Sequence, residues 1–153
     1  FTGWVKYIND GGDYKPMAID ANTKQLFEQH KANNKFFALA TSSKAGIPNV
    51  VPIGFLWVEN DDEVWVIDNF LNKTLANIRE NPFAAVYAQG GENGKECIQV
   101  KGKAVYENSG ADYEACVAKA HSVNPNFPAK GLFKIKVSCE FDTTPGPNAG
   151  KKL

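Results

Sequence analysis

The chain has 153 residues, with 17 basic and 17 acidic side chains in balance, a length that suits one domain with a substantial core. The balanced charge and the lack of an arginine-rich run argue against nucleic acid as the main partner. No apolar run reaches the roughly 18 residues of a membrane span, and the opening FTGWVKYIND lacks the basic-then-apolar order of an export signal. Three cysteines, Cys97, Cys116 and Cys139, have no CxxC spacing, which argues against a disulfide framework or a zinc site; they read as core thiols of a cytoplasmic protein, and no metal is expected.

In chain order, the first helix is expected over residues 20–33. Asp20 or Asn22 serves as cap, Gln25 as capping-box partner, and Leu26, Phe27 and His30 lie on one side. FFALATS is a β-compatible run, KAGIP a turn, and NVVPIGFLWVEN a long strand whose hairpin partner is EVWVIDNF. A helix over 72–81 is stopped by Pro82. Then come the strand FAAVYAQ, the loop GGENGKE, the strand CIQVKGKAVYE, a helix over 109–123, a loop over 124–131 and the strand LFKIKVSCEF, in which Phe133, Ile135, Val137 and Cys139 alternate with Leu132, Lys134, Lys136 and Ser138.

Six strands and three helices result, a mainly β fold. VVPIGFLWV and VWVIDNF carry large apolar residues on both faces, so both faces need cover. A barrel covers the inner one, and a helix or a second subunit the outer. The expectation is a six-stranded barrel in a homodimer.

FLNKTLANIRENP, residues 70–82, is the candidate site. Asn72 stands at the expected cap, the backbone amides of the first turn point out of the helix end, Lys73 adds a positive charge and Thr74 a hydroxyl. This composes a seat for a phosphate monoester; an ordinary cap with a solvated lysine is the alternative. Pro52 and Gly54 interrupt one strand interior, as happens where a ligand approaches the backbone. The neighbouring strand ends in Ile67, Asp68 and Asn69, leading into the anion seat, a pattern that suits a nucleotide-like cofactor with its ring along both strands.

GIPNVVPIG, EVWVIDNFLNKTLANIRENPFAAVYA and QVKGKAVY, with the closing TPGPNAGKKL, resemble the pyridoxamine 5'-phosphate oxidase-like, FMN-binding split-barrel family, and the Pro-Gly-Pro tail its small flavin-nucleotide-binding branch. The resemblance covers about residues 36–153 and is most specific in NKTLANIRENP followed by a strand. It implies a single split-barrel domain, with an N-terminal extension and helix over 1–35, the barrel over 36–142 and a tail over 143–153. It also implies FMN at a dimer interface, its ring along Val51, Pro52, Ile53 and Gly54 and along Ile67, Asp68 and Asn69, with Lys73 and Thr74 on its phosphate.

The departures point away from a true pyridoxamine phosphate oxidase. Those enzymes carry Arg-Lys in place of Lys73-Thr74, a glutamine in place of Cys97, and an arginine-rich end that helps hold the vitamin substrate, whereas the one arginine of this chain is Arg79. The resemblance thus implies an FMN-binding oxidoreductase of unassigned small substrate. A non-catalytic FMN-binding electron carrier and a deazaflavin-dependent reductase on the same barrel are the alternatives.

The remaining candidates are weaker. His30 and His121, the only histidines, read as packing or surface residues, with axial ligation of haem a minor alternative. Trp4, Trp57 and Trp65 are read as packing residues that also suit stacking on a flavin. Asp68 reads as a positioning carboxylate, and Lys101, Lys103, Lys151 and Lys152 as solvated cations, with a contact to cofactor or substrate as the alternative.

Overall fold

The computed structural model describes residues 16–34 and 36–153; Trp4 lies outside them. Helix α1 (Ala21–Asn33) is capped by Asp20, whose carboxylate accepts the Asn22 amide at 2.8 Å. The reciprocal half of this cap comes from a distant strand: the Asp20 amide donates to both oxygens of the buried Glu140, each at 3.3 Å. Gln25 therefore does not serve as the expected capping-box partner, because it lies beyond the third helical position where that partner acts. Leu26, Phe27 and His30 form the buried side of α1. His30 accepts the Gln89 amide at Nδ1, 2.9 Å away, and so carries its proton on Nε2, which donates to the Phe36 carbonyl at 2.8 Å. Both ring nitrogens are thereby engaged in tying α1 to the sheet.

Eight strands follow: β1 (Phe37–Ser42), β2 (Pro48–Ile53), β3 (Leu56–Val58), β4 (Glu63–Asp68), β5 (Phe83–Gly90), β6 (Glu96–Glu107), β7 (Gly131–Asp142) and β8 (Lys151–Lys152). They form one antiparallel sheet in the order β2-β1-β5-β6-β7-β4-β3, with β8 on β7. The long strand expected over 49–60 is divided at Gly54 and Phe55. Its first half pairs with β1, Ile53 opposite Phe37, and its second with β4, Leu56 opposite Val66. Proline offers no amide and glycine no side chain to hold one continuous ladder through this point. Because β2 and β3 are the two ends of the sheet order yet neighbours in sequence, the sheet curls until its ends meet. Counted as one bent strand, and with the two-residue β8 left aside, they give the six-stranded split barrel.

Helix α2 (Asn72–Glu80) lies against β1, β2 and β6, and α3 (Ala111–Val123) against β4 and β7. The alternation of β4 separates two apolar clusters. Val64 and Val66 enter the barrel with Leu39, Val86, Val100, Phe133 and Ile135, where Leu26 and Phe27 of α1 and Ile78 of α2 join them. Trp65 and Ile67 point outward to Trp57, Leu132, Cys116 and Ala120 beneath α3. Burial of each such side chain contributes roughly 1.5–3 kcal/mol.

The alternation expected in LFKIKVSCEF holds in burial from Phe133 to Val137 and fails on either side, since Leu132 before it and Ser138, Cys139 and Glu140 after it are all buried. The β6–β7 register shifts between Lys101 and Gly102, where a side chain on Gly102 would overlap the Lys136 carbonyl. Beyond the shift the tail returns as β8 along β7, and the Leu153 amide donates to the Glu140 carbonyl at 2.9 Å.

Candidate functional site

A cleft of about 310 Å³ opens where the barrel is split, lined by Val51, Pro52, Ile53, Gly54, Phe55, Ile67, Asn69, Phe70 and Leu71. One wall is β2, which pairs with β1 on one side and ends the sheet order on the other, so it offers a strand edge as well as apolar side chains. The opposite wall is the end of β4 and the segment leading into α2.

That opposite wall is braced by a buried carboxylate. Asp68 is fully buried; its Oδ1 accepts the Leu71 amide at 2.9 Å and its Oδ2 the Tyr106 hydroxyl at 3.2 Å. Burial first, and then the charge of Asp68, push the Tyr106 hydroxyl above the ordinary tyrosine pKa, so it remains a donor. Gly131 permits this packing, because a side chain there would overlap the Tyr106 ring. The connection from α3 to β7 is fastened to the same wall: the Ala129 amide donates to Asn69 Oδ1 at 2.9 Å and the Lys130 amide to the Asp68 carbonyl at 2.8 Å. Ala129 is in the left-handed region, φ 45°, the one non-glycine residue there among those described. Lys130 Nζ then lies 3.4 Å from Asn72 Oδ1 and 3.9 Å from Asp68 Oδ1.

The start of α2 departs from the expected cap. Leu71, not Asn72, occupies the cap position and supplies no side-chain hydrogen bond; Asn72 is the first helical residue. The first turn contains no acidic side chain, and Lys73 in it is exposed. The Leu75 amide makes the first helical bond, to the Leu71 carbonyl at 2.9 Å, so the amides of Lys73 and Thr74 precede the helical ladder. Two lysines, Lys73 and Lys130, thus belong to a helix start whose dipole already favours negative charge.

Of the residues expected from the sequence, Val51, Pro52, Ile53, Gly54, Ile67 and Asn69 converge on the cleft. Asp68 stands behind it, Asn72 accepts from Lys130, and Lys73 is two positions past Leu71. Thr74 is separated from Lys73: it is 1% exposed, and its hydroxyl accepts Asn49 Nδ2 at 3.4 Å beneath the helix. Phe70 and Leu71 belong to the expected stretch but had no role assigned in it, and Phe55 and Lys130 were not among the expected site residues. The Phe70 and Leu71 positions were readable from their adjacency to Asn69, whereas Lys130 reaches the site only through tertiary packing.

The other candidates lie elsewhere. Trp57 and Trp65 pack under α3, with indole N–H groups donating to Glu59 and Glu63, and neither lines the cleft. His121 Nε2 is 3.0 Å from the Phe127 carbonyl. Cys97 Sγ is 3.2 Å from the Tyr87 hydroxyl on β5. Lys101 and Lys103 lie over the rings of Phe141 and Phe83, at 5.2 and 5.3 Å from the centroids. Lys151 and Lys152 form β8. No helix among the described residues is long and apolar enough to cross a membrane.

The family model for pyridoxamine 5'-phosphate oxidase matches residues 4–139. An uncharacterized protein of Methanocaldococcus jannaschii is 35% identical over 123 residues, covering 78% of this chain and 80% of that protein. Among solved structures, HupZ of Group A Streptococcus superposes with a TM-score of 0.69 at 24% identity, covering 86% of this chain and 98% of that one. An FMN-binding protein of Syntrophomonas wolfei superposes with 0.63 at 19%, covering 92% and 91%. At these identities the two structural likenesses concern the fold alone.

Proposed function

The chain belongs to the pyridoxamine 5'-phosphate oxidase family, and from that membership we propose that it is a homodimeric flavoprotein that binds FMN non-covalently and works in oxidation-reduction. The observation that carries this reading is a cleft with two unlike ends. One end offers a strand edge and apolar walls; the other runs into a helix start with two lysines and no acid in its first turn. An elongated ligand with a planar heteroaromatic ring and a terminal phosphate matches both.

In this reading Val51, Pro52, Ile53 and Gly54 take one side of the ring, and Ile67 and Asn69 the other. Lys73, Lys130 and the first amides of α2 take the phosphate, with Thr74 acting through its backbone N–H because its hydroxyl is turned inward. Asp68 is a positioning residue: it holds the Leu71 amide and the Lys130 ammonium in place. Bound FMN supplies hydride and one-electron chemistry. The outward face of β1, β2 and β5 provides the subunit contact; Val50 on it is 67% exposed. Activity as a true pyridoxamine phosphate oxidase is disfavoured, because Lys73-Thr74 and Cys97 stand where the resemblance places Arg-Lys and a glutamine in those enzymes.

A non-catalytic electron carrier is the second reading, favoured because none of the residues lining the cleft titrates. Reduction by NADH or NADPH without a partner identifies the enzyme; reduction only through a redox protein identifies the carrier.

The first test is the absorbance spectrum of the purified protein, with the mass of whatever denaturation releases. An oxidised-flavin spectrum and the mass of FMN are expected; a colourless protein that takes up no added FMN overturns the reading, and preferential uptake of a deazaflavin replaces the cofactor. Lys73→Ala combined with Lys130→Ala should weaken FMN roughly 100- to 10,000-fold, from two charge-assisted bonds of about 1.5–3 kcal/mol each, while leaving riboflavin, which has no phosphate, nearly unchanged.

A further inference from the structure

Phe70 is the most exposed large apolar side chain among the described residues, at 76%, and it lines the cleft. Its neighbours behave differently: Ile53 and Ile67 are buried, and Leu71 packs against the barrel core. The exposure does not come from a loose segment. Asn69 is bonded through its side chain to the Ala129 amide at 2.9 Å, the Leu71 amide is held by Asp68 at 2.9 Å, and the Phe70 carbonyl accepts the Asn72 amide at 3.1 Å. A pinned backbone therefore presents a phenyl ring to water at the rim of an otherwise apolar cleft, an arrangement that gains stability only when something covers the ring.

We propose that Phe70 is a ligand-contacting residue that packs against the planar ring of the bound cofactor and favours flavins over non-planar phosphate esters. This rests on the FMN reading above and adds to it a division of labour along the cleft. Phe70 acts on the ring end, while Lys73, three positions farther along the chain, and Lys130, from the connection between α3 and β7, act on the phosphate end. Charge complementarity at the far end fixes which way an anionic ligand lies, and so places its apolar end beside Phe55, Ile67 and Phe70. Aromatic contact of this kind is directional, with rings offset or edge to face, so it discriminates by shape as well as by area.

The test is a parallel titration of the purified full chain with FMN and with riboflavin, for the wild type, Phe70→Ala and Phe70→Tyr. Phe70→Ala should weaken both ligands by the same factor, roughly three- to tenfold from a lost aromatic contact. Phe70→Tyr should restore both affinities and quench the fluorescence of the bound flavin, because a phenol against the ring gives an electron to the excited flavin where a phenyl ring does not. Thermal unfolding of the apoprotein should not move, because the ring is already in solvent. Unchanged affinity for both flavins overturns the proposal, and if the dimer weakens at the same time Phe70 belongs to the subunit contact. A loss confined to FMN overturns it too, by moving Phe70 to the phosphate end. Should the wild type bind neither flavin, the FMN reading itself fails and Phe70 falls with it, an outcome visible before any variant is compared.

Discussion

The β4–β7 flank and the β1–β2 flank of the barrel share one interior but differ outside. On the first, the outward residues are large, Trp65, Ile67 and Leu132, and α3 closes over them with Cys116 and Ala120. On the second, the outward residues are small or rigid, Ala38, Ala40, Val50 and Pro52, with large ones returning only at β5, where Tyr87 lies opposite Ala38, and Val50 remains 67% exposed. A helix covers a bulky face because its own side chains can interdigitate with large ones; a flat face of small residues suits the close approach of another sheet. The difference teaches that apolar character on both faces of a strand does not say what covers it, whereas the size of the outward residues does.

The largest effect is expected on the covered flank. Leu132→Ala removes a fully buried side chain beneath α3 and should cost about 2–5 kcal/mol in urea unfolding; a cost below about 1 kcal/mol would mean that α3 is only loosely applied. Val50→Asp, on the bare flank, should change the stability of the monomer by no more than about 0.5 kcal/mol while splitting the proposed dimer, as read by light scattering behind size exclusion. If Val50→Asp leaves the dimer intact, that flank is not the contact and the comparison breaks.

The smallest effect at neutral pH concerns Cys116. Burial pushes its thiol from 9.0 up to about 12. The unfolded chain gives up this proton first, so the thiol's share of stability is whole below about pH 9 and is lost progressively toward pH 12. Cys116→Ala should flatten the decline in unfolding free energy over pH 9–10; an unaltered slope would show that α3 does not seal this thiol from water.

Much of this was legible from residues alone. The barrel, the three helices among the described residues and the cleft strands follow from alternation, turn residues and the oddity of Pro52 and Gly54 in one strand. What stayed hidden depends on contacts between distant segments. No local pattern says that Glu140 completes the cap of α1, that Leu71 displaces Asn72 from the cap of α2 because Asp68 already holds the Leu71 amide, or that a left-handed Ala129 brings Lys130 to the same helix start. Thr74 shows the same limit: adjacent helical residues point about 100° apart, so a Lys-Thr pair is split between solvent and the barrel end.

The bent strand also bears on how the chain assembles. Each of its halves finds a partner across a short turn, position 48 against 42 and position 58 against 64, whereas the ladder joining β4 to β7 must bring position 68 to 131. Local pairs of this kind form early and distant ones late, since the entropy of closing the long loop is spent before its contacts exist. Two hairpins sharing one strand are therefore ready before the barrel is, and the peptide between Gly54 and Phe55 acts as a clasp that keeps them together while β7 arrives.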